Sequence, residues 1–217
     1  MVVAMKITKI GHCCLVVEVD GKKILTDPGT YSTGQNELKG IDVVLITHEH
    51  ADHVHAESLK EVLKNNPEAT IITNSAVATL LSDSNIVVTI CEGREVYSEN
   101  GLKLEAFDGK HEEIYGDFGQ VQNTGYLIQE RLFYPGDSFH DPKIPVDILA
   151  LPVGGPWCKI GDAIRYALSV KPKFAFPVHD ATQKETALGL LQRLPSQILS
   201  ENGIEFVVMN AGDTKDF

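Results

Sequence analysis

The sequence contains no uninterrupted apolar run of the length that crosses a bilayer, so no transmembrane helix is expected. Its opening, Met1 to Lys6, lacks the charged region, long apolar stretch and cleavage site of a secretory leader, which makes a cytoplasmic location the expectation. Met1 and Met5 both stand as native starts. Cations are scarce: 19 Lys and Arg face 30 Asp and Glu, a formal net charge of −11. The basic residues form no block, which argues against the clustered cations of a nucleic-acid groove. There are only four cysteines, Cys13, Cys14, Cys91 and Cys158, with no Cys-x-x-Cys among them. Neighbours on a strand face opposite sides, so Cys13 and Cys14 make a poor disulfide or metal pair, and buried reduced thiols are expected. No short-period repeat is visible, and no Ser-His-Asp or Cys-His signature demands a covalent catalytic route.

What is present is apolar content enough for a sizeable core, 43% of 217 residues, which fits one domain spanning 1–217. Lys6 to Ile10 alternates as a half-buried strand does, and Asp20-Gly21 is a strong two-residue hairpin signal between Leu15–Val19 and Lys22–Thr26. Leu59, Val62 and Leu63 carry helical spacing within 56–65, ahead of Pro67. A strand over 69–73, a helix over 75–81 and a strand over 86–90 come next. From Arg94 to Phe107 the pattern is again strand-like, with a loop over 108–119 and a hairpin-like pair at 122–129 and 132–134. Strands over 147–153 and 174–178 enclose a helix that stops before Lys171-Pro172. A last helix, 184–200, should kink or split at Pro195, before a short strand over 205–209. The order is a layered α/β pattern, with two halves that each run from strands to strand–helix units.

The chain is organised around one stretch, Leu45-Ile-Thr-His48-Glu-His50-Ala-Asp52-His53-Val-His55. It comes after an apolar run, Ile41 to Ile46, that reads as a buried strand. Three histidines and an aspartate then fall in the pattern H-x-H-x-D-H, which composition alone yields about once in a thousand shuffled chains. Imidazole and carboxylate together suit zinc and related divalent metals. A strand end leading into a turn lets such neighbours converge instead of alternating between faces. This stretch is read as a metal site.

The motif T-H-E-H-A-D-H resembles the signature of the metallo-β-lactamase-fold hydrolases. Further matches occur in that superfamily's order: the isolated His111, Gly136-Asp137-Ser138 after an apolar run, and Pro177-Val178-His179 ending another. Gly11-His12-Cys13-Cys14, Thr26-Asp27-Pro28 and the segment from Asp147 to Pro156 are similar to a branch containing ascorbate-6-phosphate lactonase-like proteins and uncharacterised metal-dependent hydrolases. The resemblance implies a four-layered αββα sandwich and a dinuclear centre. It puts His48, His50 and His111 on one divalent metal, Asp52, His53 and His179 on the other, and Asp137 between them. Zinc is the expected metal, with manganese, iron or nickel as alternatives.

The chemistry implied by such a centre is a hydroxide shared by two metals, oriented by Asp52, that cleaves an ester, lactone, amide or phosphodiester bond in a small-molecule substrate. Asp27 is expected to hold a ligand imidazole in place. His12 is expected beside the site, touching substrate or supporting the metals, unless it is a core histidine satisfied by backbone. Trp157, after a Gly-Gly-Pro loop, is a candidate pocket wall. His55 and His140 are expected not to be ligands. Trp157-Cys158-Lys159, and His179-Asp180 where an aromatic often succeeds the histidine, depart from the lactonase-like branch and put phosphate-sugar lactones in doubt. An iron-dependent oxidoreductase on the same fold is the alternative, although its di-iron flavoprotein members favour glutamate where this chain has His50. Asp137 fits the general hydrolase pattern better than a secreted β-lactamase. No nucleic-acid or membrane partner is expected, and self-association stays open.

Overall fold

The computed structural model describes residues 4–217; the question of whether Met1 starts the chain lies outside them. Two seven-stranded sheets form the centre. The strands in chain order are β1 (Met5–Gly11), β2 (Cys14–Val19), β3 (Lys22–Thr26), β4 (Val43–Leu45), β5 (Thr70–Thr73), β6 (Thr89–Ile90), β7 (Val96–Glu99), β8 (Leu102–Lys110), β9 (Gln122–Ile128), β10 (Leu132–Tyr134), β11 (Ile148–Pro152), β12 (Phe174–Val178), β13 (Glu205–Phe206) and β14 (Thr214–Asp216). One sheet runs β14-β1-β2-β3-β4-β5-β6 and the other β13-β12-β11-β10-β9-β8-β7. In each, antiparallel hairpins lead into parallel strands, beginning with β3 beside β4 and β10 beside β11. Four helices cover the faces: α1 (Ala56–Asn65), α2 (Ser75–Leu81), α3 (Ile160–Val170) and α4 (Glu185–Ser200).

Packing explains the layers. Side chains of β1, β2, β8 and β9 that point inward, among them Ile7, Leu15, Val17, Leu104 and Tyr126, form the core between the sheets. The outward face of the first sheet packs Val44, Ile46 and Ile71 against Leu59 and Val62 of α1 and Val77 of α2. The second sheet packs Leu149, Leu151 and Ala175 against Ala163, Ile164 and Ala167 of α3. The result is helix, sheet, sheet, helix: the four-layered αββα sandwich. Cys13 belongs to the inter-sheet core and Cys14 to the outer one, so the pair does face opposite ways. All four cysteines are free thiols. Among the described residues no helix is long and apolar enough to cross a membrane.

Four local expectations are corrected. The strand read over 86–90 shrinks to Thr89–Ile90, because β6 is an edge strand that pairs only with the end of β5. The loop expected from Asp108 begins later, since β8 continues to Lys110 against β9. The last helix runs unbroken through Pro195, whose ring is buried and whose missing N–H removes one backbone bond without ending the turn. The strand expected over 205–209 stops at Phe206. The residue pattern also gave no hint of β14, a polar, exposed strand paired to the edge of β1.

Candidate metal centre

The residues singled out from the sequence sit just past strand ends. His48, His50, Asp52 and His53 come after β4, His111 after β8, Asp137 after β10, Trp157 lies beyond β11 and His179 comes directly after β12. Asp27 comes after β3, and His12 lies in the turn between β1 and β2. Ligands of open α/β sheets collect at such carboxyl ends. The chain turns after Ile46 because Asp27 Oδ1 accepts the Thr47 N–H at 2.8 Å, and the Thr47 carbonyl accepts from Asn74 and Thr124 instead of continuing a ladder. Gly29 closes the turn from below. A Cβ there would lie 1.9 Å from the Asp52 carbonyl oxygen, so only glycine lets the two loops touch.

Donor atoms of His48, His50 and His111 lie within 4.8 Å of one another. Those of His12, Asp52, His53 and His179 form a second group of the same tightness, and Cys13, His53 and Asp137 an overlapping third. Asp137 stands between the first two. Its Oδ2 is 3.2 Å from His111 Nε2 and 2.8 Å from His179 Nε2, and its Oδ1 is 3.1 Å from His53 Nε2.

The imidazoles are held by their other nitrogen. His53 Nδ1 donates to Asp27 Oδ2 at 2.7 Å, His111 Nδ1 to the Glu112 carbonyl at 2.6 Å and His179 Nδ1 to the Gly154 carbonyl at 2.7 Å. The Thr47 hydroxyl spends its proton on Asp27 Oδ2, so it accepts from His48 Nδ1 at 3.0 Å. In all four rings Nε2 is left as the nitrogen that gains or loses a proton or takes a cation. Asp27 is the hub of this support. It is fully buried and also accepts the Tyr134 hydroxyl at 2.7 Å. Trp157 donates its indole N–H to Asp137 Oδ2 at 3.0 Å while its ring edges toward His111 and His179.

Burial, reinforced by the His53 charge, pushes His48 well below the ordinary imidazole range, and burial with His111 lowers His50. His53 and His179 go the other way. Burial opposes their charged forms, yet Asp137 leads the groups that raise both well above it. Burial also opposes ionised Asp137, but His179 and His53 hold it well below the usual carboxylate range. Asp52 is held low against its burial by hydrogen bonds from His12 and His179. Nε2 of His48, His53 and His179 and Oδ1 of Asp137 are buried without a properly aligned hydrogen-bond partner, although each of the three rings lies within 4.0 Å of an Asp137 oxygen. Proximity without alignment is poor hydrogen bonding and good convergence. The donor set fits two divalent cations.

A family model described as a beta-lactamase superfamily domain matches residues 6–179. The chain belongs to the metallo-β-lactamase superfamily. The protein Rv0786c of Mycobacterium tuberculosis is 34% identical to this chain over 191 residues, covering 86% of this chain and 89% of that one. A UPF0173 metal-dependent hydrolase of Carboxydothermus hydrogenoformans is 30% identical, covering 81% and 84%. Igni18, described as a novel metallo hydrolase from Ignicoccus hospitalis, shares the fold with a TM-score of 0.77 at 21% identity, covering 99% and 98%. The chain falls in the UPF0173-like branch of the superfamily's metal-dependent hydrolases.

Every residue that the superfamily resemblance nominated is brought to this one place. His55 and His140 stay apart from it: His55 caps α1 by accepting the Ser58 N–H, and His140 leans on the Phe107 ring. Three contributors were not foreseen. Cys13 lies against His53 and Asp137 from the core side. Thr47 relays between Asp27 and His48. Lys9, 1% exposed, bonds Asp180 Oδ2 at 2.6 Å and the Pro177 carbonyl at 2.9 Å, on either side of the His179 position along the chain. Two residues on from Ile7, Lys9 shares its inward face, but nothing in the sequence marked a charged side chain there for burial.

Proposed function

We propose that this single domain, 1–217, hydrolyses an ester, lactone, amide or phosphodiester bond of a small molecule with two divalent metals, zinc in first place and manganese, iron or nickel as alternatives, in the cytoplasm. The observation that carries the reading is the set of four imidazoles, His48, His53, His111 and His179, whose Nδ1 atoms are committed to fixed acceptors, with buried Nε2 atoms gathered around Asp137. In this reading His48, His50 and His111 hold one ion, Asp52, His53 and His179 the other, and Asp137 both. The ions, when bound, supply Lewis acidity and water of lowered pKa.

The chain's own groups do the rest. Asp52 is the site carboxylate open to solvent, 22% exposed in its side chain against 2% for Asp137, so it meets incoming water, accepts its hydrogen bond and orients it for attack. Asp137 is closed off by Trp157, which fixes one carboxylate oxygen and forms a wall of the site. Asp27, through Thr47 and His53, keeps the strand-end histidines in register.

Elemental analysis of protein purified under metal control, with assays on phosphodiester, ester and lactone panels, tests the reading. Two ions per chain, with hydrolysis lost in a His50→Ala, Asp137→Ala variant, is the expected result. Redox-active iron with oxygen consumption would move the chain to the oxidoreductases, and no tightly bound metal after reconstitution would end the dinuclear assignment.

A further inference from the structure

His12 lies close enough to Asp52, His53 and His179 to be counted a fourth donor of their cluster. Its hydrogen bonds give it a different part. Its Nδ1 accepts the Ala181 backbone N–H at 3.2 Å. An amide N–H can only donate, so Nδ1 is bare. Its Nε2 lies 3.2 Å from Asp52 Oδ2, an acceptor when ionised, so the ring proton sits on Nε2. This is the reverse of His48, His53, His111 and His179, which all donate from Nδ1. Both nitrogens of His12 are used, and neither lone pair is left for a cation.

The backbone adds a second link. His12 and His179 both adopt left-handed conformations, φ +49° and +60°, although neither is glycine. Such conformations persist where the surroundings over-determine them. Here the His12 carbonyl accepts the His179 N–H at 3.3 Å, and the two rings pack with centroids 4.2 Å apart. The β1–β2 turn thus reaches across to the end of β12 and to the loop after β4 at once.

We propose that His12 is a positioning residue and not a metal ligand: one neutral ring, protonated at Nε2, that holds Asp52 by one oxygen and the His179 turn by the Ala181 amide. The inference rests on the proposed dinuclear function in taking Asp52 and His179 as the ligands that His12 sets relative to each other. Its loss should loosen the ion held by Asp52, His53 and His179 and spare the one held by His48, His50 and His111.

Nitrogen-resolved NMR of the unmodified protein tests the tautomer, and chelator-competed zinc titration tests the consequence. His12 should show a bare Nδ1 and a protonated Nε2 before and after zinc addition. His12→Phe keeps a ring against His179 and loses both side-chain bonds, so one of two zinc steps should weaken roughly 10- to 100-fold while the other holds. His12→Gln spaces an acceptor and a donor across one carbon as imidazole does, and should restore that step and the native ratio of kcat to KM. Loss of the Nε2 proton on zinc addition, or a Phe variant that binds both ions as tightly as the native chain, would overturn the proposal. Should the unmodified protein bind fewer than two ions, the dinuclear reading falls, and the metal-free NMR still decides His12: an Nε2 proton supports the donor role and an Nδ1 proton refutes it.

Discussion

Replacing Lys9 by Met tests how far the buried frame around His179 depends on one charge. The Lys9 ammonium has three donors, matched by Asp180 Oδ2 at 2.6 Å, the Pro177 carbonyl at 2.9 Å and the Met209 carbonyl at 3.4 Å. The Asp180 side chain is only 10% exposed, so its carboxylate would find little water in place of the ammonium. Methionine fills nearly the same length and donates nothing. Breaking a buried ion pair from one side costs about 3–5 kcal/mol. For a chain of this size, at about 2–4 °C per kcal/mol, the melting temperature should fall by roughly 6–20 °C. Metal-free protein is the right material, since bound ions would stabilise the native state by mass action. Scanning calorimetry and urea unfolding would read the loss. Adding Asp180→Asn removes the stranded charge, so the double variant should recover part of the stability, a coupling that additive sites do not show. A loss under about 1 kcal/mol, the range of solvent-exposed pairs, would refute the burial argument.

Asp27→Asn exchanges an acceptor of four hydrogen bonds for a group that must also donate, so zinc affinity should drop roughly 10- to 100-fold, measured by chelator competition. Trp157→Phe keeps the wall and removes the indole N–H from Asp137 Oδ2, so kcat should fall with KM little changed in steady-state assays; an equal rise in KM would point to substrate contact instead. Asp137 raises the pKa of both His53 and His179 above the ordinary imidazole range in the metal-free chain, against their burial. Cations compete with protons for those nitrogens, so zinc loading in weak buffer should release protons. Affinity should accordingly weaken as pH falls, and pH-independent binding would contradict the shifts.

Much of this was legible in residue order because it is local. The run Ile41–Ile46 ending in H-x-H-x-D-H, the helical spacing over 56–65 and the buried strand before His179 are signals carried within a dozen residues. The fold beyond a layered α/β pattern came from the resemblance, since two packed sheets leave no periodicity of their own. What stayed hidden lies in contacts between distant segments. His12 meets Ala181 169 residues away, and Lys9 meets Asp180 171 residues away. β14 was invisible because a polar, exposed strand is recruited by an open edge and not by an apolar pattern. At Pro195 the local rule was correct about the lost bond and wrong about the outcome.

The donors are divided between the sheets. His48, His50, Asp52 and His53 come from the first, His111, Asp137 and His179 from the second. Neither cluster can therefore be completed by one half of the molecule. In a chain whose cysteines are all free, a cation in either cluster would act as a removable cross-link between halves. Any excursion that parts the sheets would release it. Ion retention is then a gauge of sheet docking, and a slow leak of metal would report breathing of the sandwich before any strand has unfolded.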